Sequence, residues 1–252
     1  MPFPRNRFVV ALKVELRELE KPKLNNPVII EGFPGVGMIG TIAASHIAEK
    51  LDMKLVGYFA SAHFPPIAAI HNFKPVSPAR VYASEKHDLI VLFSEFVIPS
   101  DIVFSLSQTI IEYAKKKKAK IIYSLAGVAT PEPDNKIYGI ASTPAAADEL
   151  KKQQIELIRE GATQGVSGVL IAECAAEKMP AANLMVQTSQ PFDPKATARV
   201  LDKLSAMLQI DFQTKELVTQ GEQVESKIKD ALEKMKSMHQ DYKGMEENPM
   251  YG

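Results

Sequence analysis

Short apolar runs, scarcely interrupted by polar residues, recur along this chain and leave few folds open to it. VIIEGF (28–33), KLVGYFA (54–60), RVYAS (80–84), LIVLFSEF (89–96), AKIIYSLAG (119–127), SGVLIAE (167–173) and NLMVQTS (183–189) all read as strands. A strand covered on one side alternates apolar and polar residues. A strand apolar at nearly every position is covered on both. Between these runs lie amphipathic stretches: TIAASHIAEKL (41–51), IVFSLSQTIIEYAKKKK (102–118) behind Pro99-Ser100-Asp101, a helix opened by Pro144 and Asp148 and running to about 160, and KATARVLDKLSAML (195–208) behind Asp193-Pro194. RFVVALKVEL (7–16) alternates loosely as a first strand, and KIYGIAS (136–142) fits a strand in a hairpin or insertion. The rhythm predicts an α/β fold, an α/β/α sandwich around a largely parallel sheet. The first two pieces also fit an antiparallel edge. No internal repeat is present.

The bulk numbers narrow the function classes. Lys+Arg and Asp+Glu both count 30. A nucleic-acid binder needs a basic excess to displace counterions from phosphates, so nucleic acid is not the expected partner. Cys174 is the single cysteine, which rules out an internal disulfide and fits a reducing compartment. No apolar run approaches the ~20 residues that span a bilayer, and Met1-Pro2-Phe3-Pro4-Arg5 lacks the apolar stretch of a signal peptide. The expectation is a cytoplasmic protein with no membrane contact.

Residues 211–252 change character, with six Lys/Arg against nine Asp/Glu. Leu217, Val224, Ile228, Ala231, Met235, Met238 and Tyr242 recur at alternating spacings of four and three, with Gly221 in the missing slot. That is a narrow apolar seam on a polar helix, which fits a helix lying on its own domain or one pairing with another subunit. Three regions are expected: a domain over 1–210, a helical extension over 211–243, and a leash over 244–252 marked by Gly244 and Pro249.

Several motifs invite a chemical reading. In GFPGVGMIG (32–40), Gly35, Gly37 and Gly40 fit G-x-G-x-x-G between a strand and a helix, where backbone N–H groups approach a pyrophosphate. The next strand ends Phe59-Ala60-Ser61-Ala62-His63 without the acidic residue that holds a ribose, and Pro34 stiffens the entry. Close packing of a strand-to-helix turn is the favoured reading. ATPEPD (129–134) follows an apolar strand, so Thr130, Glu132 and Asp134 belong near any crevice at the carboxyl edge of the sheet. Glu95 and Glu173 follow predicted strands and are expected to face the same crevice. Such carboxylates serve acid–base work or a cation, and more often cap helices or pair with lysines.

No metal ligand set emerges from the scattered His46, His63, His71, His87 and His239, and no Cys/His spacing suits zinc. Cys174 lacks a partner base, and Ser45, Ser94 and Ser124 lack the G-x-S-x-G setting of a hydrolase. Lys115 to Lys118 end a predicted helix, where positive charge suits the dipole. No catalytic residue and no cofactor is assigned. HFPPIAAIHNFKP (63–75) is apolar, proline-bearing and irregular. Such a loop needs a cover, and self-association is the simplest one.

Together, EGFPGVGMIG, SLAGVATPEPD, SGVLIAECAAEKMPA and QPFDPKATARVLDKL resemble the proteasome assembly chaperone family in its archaeal form, over roughly residues 7–210. The resemblance implies an α/β/α sandwich akin to nucleoside phosphorylases, no established catalysis, and subunits that bind one another and proteasome α-subunits. The ending Met250-Tyr251-Gly252 is similar to the hydrophobic–Tyr–any-residue terminus of proteasome activators and assembly factors. There the resemblance implies a plug that enters a pocket between α-subunits. Its final glycine departs from the pattern only in adding no side-chain contact. The expected role is an assembly chaperone or ATP-independent activator, since no Walker loop is present. The rival is a small-molecule enzyme, acting on a nucleoside or an amide through turn 32–40 and loop 129–134.

Overall fold

The computed structural model describes residues 13–71 and 73–219. Its strands, numbered in chain order, are β1 (Glu15–Glu18), β2 (Val28–Gly32), β3 (Lys54–Ala60), β4 (Ala69–His71), β5 (Lys74–Val76), β6 (Ala79–Ser84), β7 (Leu89–Ser94), β8 (Ile121–Ala129), β9 (Ile137–Ala141), β10 (Glu156–Leu157) and β11 (Ala181–Thr188). Nine of them form one sheet in the order β1-β3-β6-β7-β2-β8-β11-β9-β10, and β4 and β5 pair as a separate hairpin. The centre, from β7 through β2 and β8 to β11, is parallel. The flank from β1 through β3 and β6 to β7 is antiparallel, as is β9 against β11. The expectation of a largely parallel sheet therefore holds for the centre alone, and the sheet as a whole is mixed. Short connections between β6 and β7 allow only an antiparallel hairpin, because a parallel crossover needs a dozen residues or more.

The helices are α1 (Ile39–Lys50), α2 (Val103–Lys116), α3 (Pro144–Lys152), α4 (Gly165–Ala176), α5 (Pro194–Leu208) and α6 (Lys215–Thr219). Successive strand residues point to opposite faces, and the core divides accordingly. Ile30, Val91 and Leu184 pack with Ile42 and Ile47 of α1, Leu150 of α3 and Leu201 of α5. Ile29, Ile90 and Ile122 pack with Leu106 and Ile110 of α2 and Leu170 and Cys174 of α4. This three-layer arrangement is what the near-continuous apolar strands required.

Two local expectations are corrected. SGVLIAE lies in helix α4 instead of a strand. A short apolar run carries no period that separates a strand from a buried helix, and here the Ala-rich continuation to Ala176 extends the helix. The helix from Pro144 stops at Lys152, and the chain turns at Gln154 (φ 58°) into edge strand β10. The stretch 63–75, read as irregular, holds β4 and the start of β5 as a paired hairpin, while the N-cap reading agrees: Asp193 accepts the Ala196 N–H at 2.8 Å as N-cap of α5, with Pro194 at its first position. The expected first strand over 7–16 is described only from residue 13, and β1 begins at Glu15.

The start of the C-terminal extension lies on its own domain. Phe212 and Leu217 are fully buried against α1 and α5. The Phe212 carbonyl accepts the Nε2–H of His46 at 2.7 Å, and its N–H donates to Ser205 Oγ at 3.2 Å. Lys50 pairs with Glu216 beside it. The remaining seam residues, from Val224 to Tyr242, fall outside the described residues, as does the leash. Among the described residues no helix is long and apolar enough to cross a membrane.

Candidate functional site

The parallel centre of the sheet fixes where a crevice forms. The chain leaves the carboxyl ends of β2, β8 and β11 on one edge, and their loops diverge there. Between them is a groove of about 620 Å³, floored by Gly35, Val36 and Gly37 and walled by segments 129–131 and 188–191. The turn after β2 is a 3₁₀ turn over Val36–Met38. Gly37 sits at φ 66° there, the left-handed region that favours glycine.

Of the predicted crevice residues, Gly35, Gly37 and Thr130 line the groove, and Gly40 and Glu132 do not. Gly40 is buried inside α1, where a Cβ would stand 2.6 Å from the Leu125 carbonyl oxygen. Its role is close helix–strand packing. Glu132 points to solvent. Asp134 accepts the Tyr138 hydroxyl at 2.6 Å and the Lys136 N–H at 3.1 Å, and the tyrosine hydrogen bond holds its carboxyl below the usual range. It is a loop clasp. The residues that the sequence reading missed are Thr188, Ser189, Gln190 and Pro191. The available signal was TSQPFDP, a proline-bearing loop directly after a strand of the parallel centre.

The groove is poor in reactive groups. None of its ten lining residues has a side chain that titrates near neutrality. The Thr188 hydroxyl donates to Asp193 Oδ2 at 2.7 Å, while Asp193 also caps α5 and donates its N–H to the Gly37 carbonyl at 3.0 Å. This carboxylate already occupies the α5 N-terminus, where an anionic ligand would bind. The groove thus offers hydroxyls and backbone groups for binding, with no acid–base pair.

The other singled-out groups lie apart from it. Glu173 is on α4, accepting from Gln108 Nε2 at 2.5 Å, so the expectation that it faces the crevice is corrected together with its strand. Glu95 pairs with the buried Arg80 and with His71. Arg80 lies over the Phe93 ring at 5.0 Å. Burial pulls the His46 ring below its ordinary value. Since a carbonyl only accepts, its bond to Phe212 assigns the proton to Nε2. Burial pushes the Cys174 thiol up to about 12, the setting of an inert packing residue. Lys115 pairs with Glu177, and Lys116 and Lys117 with Glu18, near the end of α2. No group of three His, Cys, Asp or Glu among the described residues is placed to hold a metal. Met250, Tyr251 and Gly252 lie outside the described residues.

One titratable group was hidden in the sequence. Glu31 is fully buried on the central strand β2. Its register partner on β8 is Ser124, whose partner on β11 is the buried Asn183, giving a polar row across three strands. Ser167 of α4 donates to Glu31 Oε2 and the Phe33 N–H to Oε1, both at 2.9 Å. Desolvation outweighs these bonds and raises the carboxyl above its ordinary value. The unfolded chain ionises near the usual carboxylate value, and the native carboxyl holds its proton to a higher pH. Stability from this group is therefore full below about pH 4.5 and is lost as pH rises through the native value. Glu31→Gln keeps the shape and removes the titration. Urea midpoints of the variant, measured from pH 4 to 8, are expected to fall less steeply with pH than those of the parent. Parallel slopes would contradict this reading.

Comparison with known proteins adds lineage to this geometry. Residues 29–232 match the PAC2 family. The uncharacterised protein MJ0106 of Methanocaldococcus jannaschii is 31% identical over 240 residues, covering 94% of this chain and 98% of the relative. Among solved structures, Pyrococcus furiosus PbaA, an archaeal homologue of proteasome-assembly chaperone, is 30% identical with a TM-score of 0.79, over 89% of this chain and 98% of its own. Pyrococcus furiosus PbaB, an archaeal proteasome activator, shares the fold at 21% identity and a TM-score of 0.73, over 87% of this chain and 98% of its own.

Proposed function

We propose a function for this chain from one premise: it belongs to the PAC2 family. It is a non-enzymatic, cytoplasmic partner of the proteasome, acting as an assembly chaperone or ATP-independent activator. The observation that carries this reading is the likeness to PbaA over 89% of this chain. The poverty of the groove in acid–base groups speaks for it and against the nucleoside or amide enzyme. The nucleoside-phosphorylase likeness that the family resemblance implies would then be one of scaffold.

The anchor in this proposal is Met250-Tyr251-Gly252 at the end of the sequence. The body over 1–210 is the scaffold, the extension over 211–243 carries the leash, and residues 244–252 reach the partner. A terminal carboxylate pairs with a lysine of a pocket between proteasome α-subunits, the Tyr251 ring buries its area with the hydroxyl still bonded, and Met250 fills the entrance. One such tail binds weakly. A homo-oligomer presents several and gains through effective concentration.

A competition experiment tests the anchor. A synthetic peptide of the last seven residues with a free carboxylate is expected to displace the full chain from purified archaeal core particle. The same peptide with an amidated end loses a charge-assisted bond, worth about tenfold or more in affinity. Equal displacement by both peptides, or by neither, would contradict the anchor. Fluorogenic-peptide hydrolysis in the same samples separates the roles: faster hydrolysis marks an activator, and binding without it an assembly factor.

A further inference from the structure

Strand β1 lies along helix α2, and the two run in the same direction. Near the start of β1, the Val14 N–H donates to Ser105 Oγ and the Val14 carbonyl accepts from Thr109 Oγ1, both at 2.9 Å. At the other end, Glu18 pairs with Lys116 and Lys117. Four strand steps of ~3.3 Å advance about as far as nine helix steps of ~1.5 Å, so strand and helix keep pace. The chain ahead of Val14 is therefore delivered to the amino end of α2.

Two apolar side chains stand uncovered at that end. Phe104, in the first turn of α2, is 57% exposed, and Val97, in the segment that leads there from β7, is 69% exposed. Ile98, Ile102 and Val103 beside them are buried. Residues 95–104 carry Glu95 and Asp101 and no Lys or Arg. Asp101 lies 3.6 Å from His63 Nδ1 and keeps about half of its side chain exposed.

Residues 1–12 lie outside the described residues. Their last eight are Arg5-Asn6-Arg7-Phe8-Val9-Val10-Ala11-Leu12: two bases, no acid, then five apolar residues in a row. Such a run needs a cover as much as the face beside α2 does. In β1, Val14 and Leu16 pack on the α2 side, while Glu15 and Arg17 are exposed. The same two-residue period assigns Leu12, Val10 and Phe8 to the side of Val14.

We infer that residues 8–12 form a strap that continues from β1 across the first turn of α2 and covers Phe104 and Val97 with Leu12, Val10 and Phe8. Two strand steps back from Val14 are about 7 Å, or four to five helix residues, which sets Leu12 level with that first turn. Phe8 lies about 13 Å farther on, over the segment that holds Val97. Arg5 and Arg7 follow within reach of Asp101, so strap and seat attract. The strap is tied to its seat through Val14, two residues from Leu12, and this tether gives it a higher effective concentration than any free partner. Neither the proteasome nor the C-terminal tail enters its test.

The chain contains no tryptophan, so Phe104→Trp places a single indole under the strap. In the full chain, its emission is expected to lie to the blue and acrylamide to quench it weakly. Removing residues 1–12 leaves Val14 and its two hydrogen bonds in place. That deletion is expected to move the emission to the red and raise the quenching constant severalfold. Val10→Ser with Leu12→Ser in the full-length chain is expected to do the same, and it keeps the test open if far-ultraviolet circular dichroism shows the shortened chain unfolded. Emission and quenching unchanged by the double substitution would overturn the strap. Emission of the full-length Phe104→Trp chain that moves to the red on dilution would also overturn it, because the cover would then be a second copy.

Discussion

Gly32→Ala is expected to cost about 3 kcal/mol, at the upper end of overpacking, and to lower the melting temperature by roughly 6–12 °C for a chain of this size. A Cβ at position 32 would stand 2.2 Å from the Gly40 carbonyl oxygen and 2.6 Å from Ala44 Cβ. The first of these is helix backbone, so α1 must move off the sheet as a body, and with it the packing of Ile42 and Ile47 against Ile30. Gly35→Ala is the control. Its backbone is extended at φ −158°, and nothing lies within 4 Å of an added Cβ. That variant is expected to stay within about 0.5 kcal/mol of the parent. The pair separates two readings of one glycine-rich turn. A turn built for helix–strand contact is intolerant at Gly32 and Gly40 and tolerant at Gly35. A turn built for a pyrophosphate shows its sensitivity at Gly35, in ligand binding. Thermal melts of the two variants, with and without nucleotides, read both at once. Equal stability of Gly32→Ala and Gly35→Ala would contradict the packing account.

The sandwich was legible because burial on both faces leaves a direct mark. Ile29 and Ile30 are both apolar since each meets a different helical layer. The mixed flank was less legible, because a strand buried on both faces carries the same signature whichever way its neighbour runs. SGVLIAE misled for a related reason. A helix such as α4, wedged against the sheet and α2, is apolar over most of its surface and loses the period that would identify it. Glu31 was hidden by its company: one acid inside VIIEGF reads as an edge of the run, and only the strand register reveals the polar row through Ser124 to Asn183. In the groove, Gly35, Gly37 and Thr130 were readable because loops after parallel strands gather at one edge. Thr188 to Pro191 escaped because the position of β11 beside β8 is a fact of topology, which pattern does not carry. The apolar stretch 63–75 was expected to need a cover, and in the single chain it leaves Ile70 and Phe73 exposed.

The other large effect concerns the end of the sequence. Removing Met250-Tyr251-Gly252 takes away the proposed anchor as a whole: an apolar side chain, an aromatic ring and the carboxylate that the proposal places after them. In the proposed homo-oligomer each subunit would lose its proposed anchor at once, so the loss would compound across the assembly. The expected result is a drop in apparent affinity of about a hundredfold or more, with the fold untouched. The folded domain keeps its own fastening at this end, through Phe212, Leu217 and the Lys50–Glu216 pair, all upstream of the deletion.

The most direct measurement is therefore binding of the full chain, and of a chain stopped at Pro249, to immobilised archaeal proteasome core particle at matched concentration, with melting temperatures recorded for both. The account predicts that the full chain binds, that the shortened chain does not, and that the two melt alike. Binding by both chains with equal affinity would remove the tail from the account. Failure of the full chain to bind would contradict the proteasome-partner reading itself.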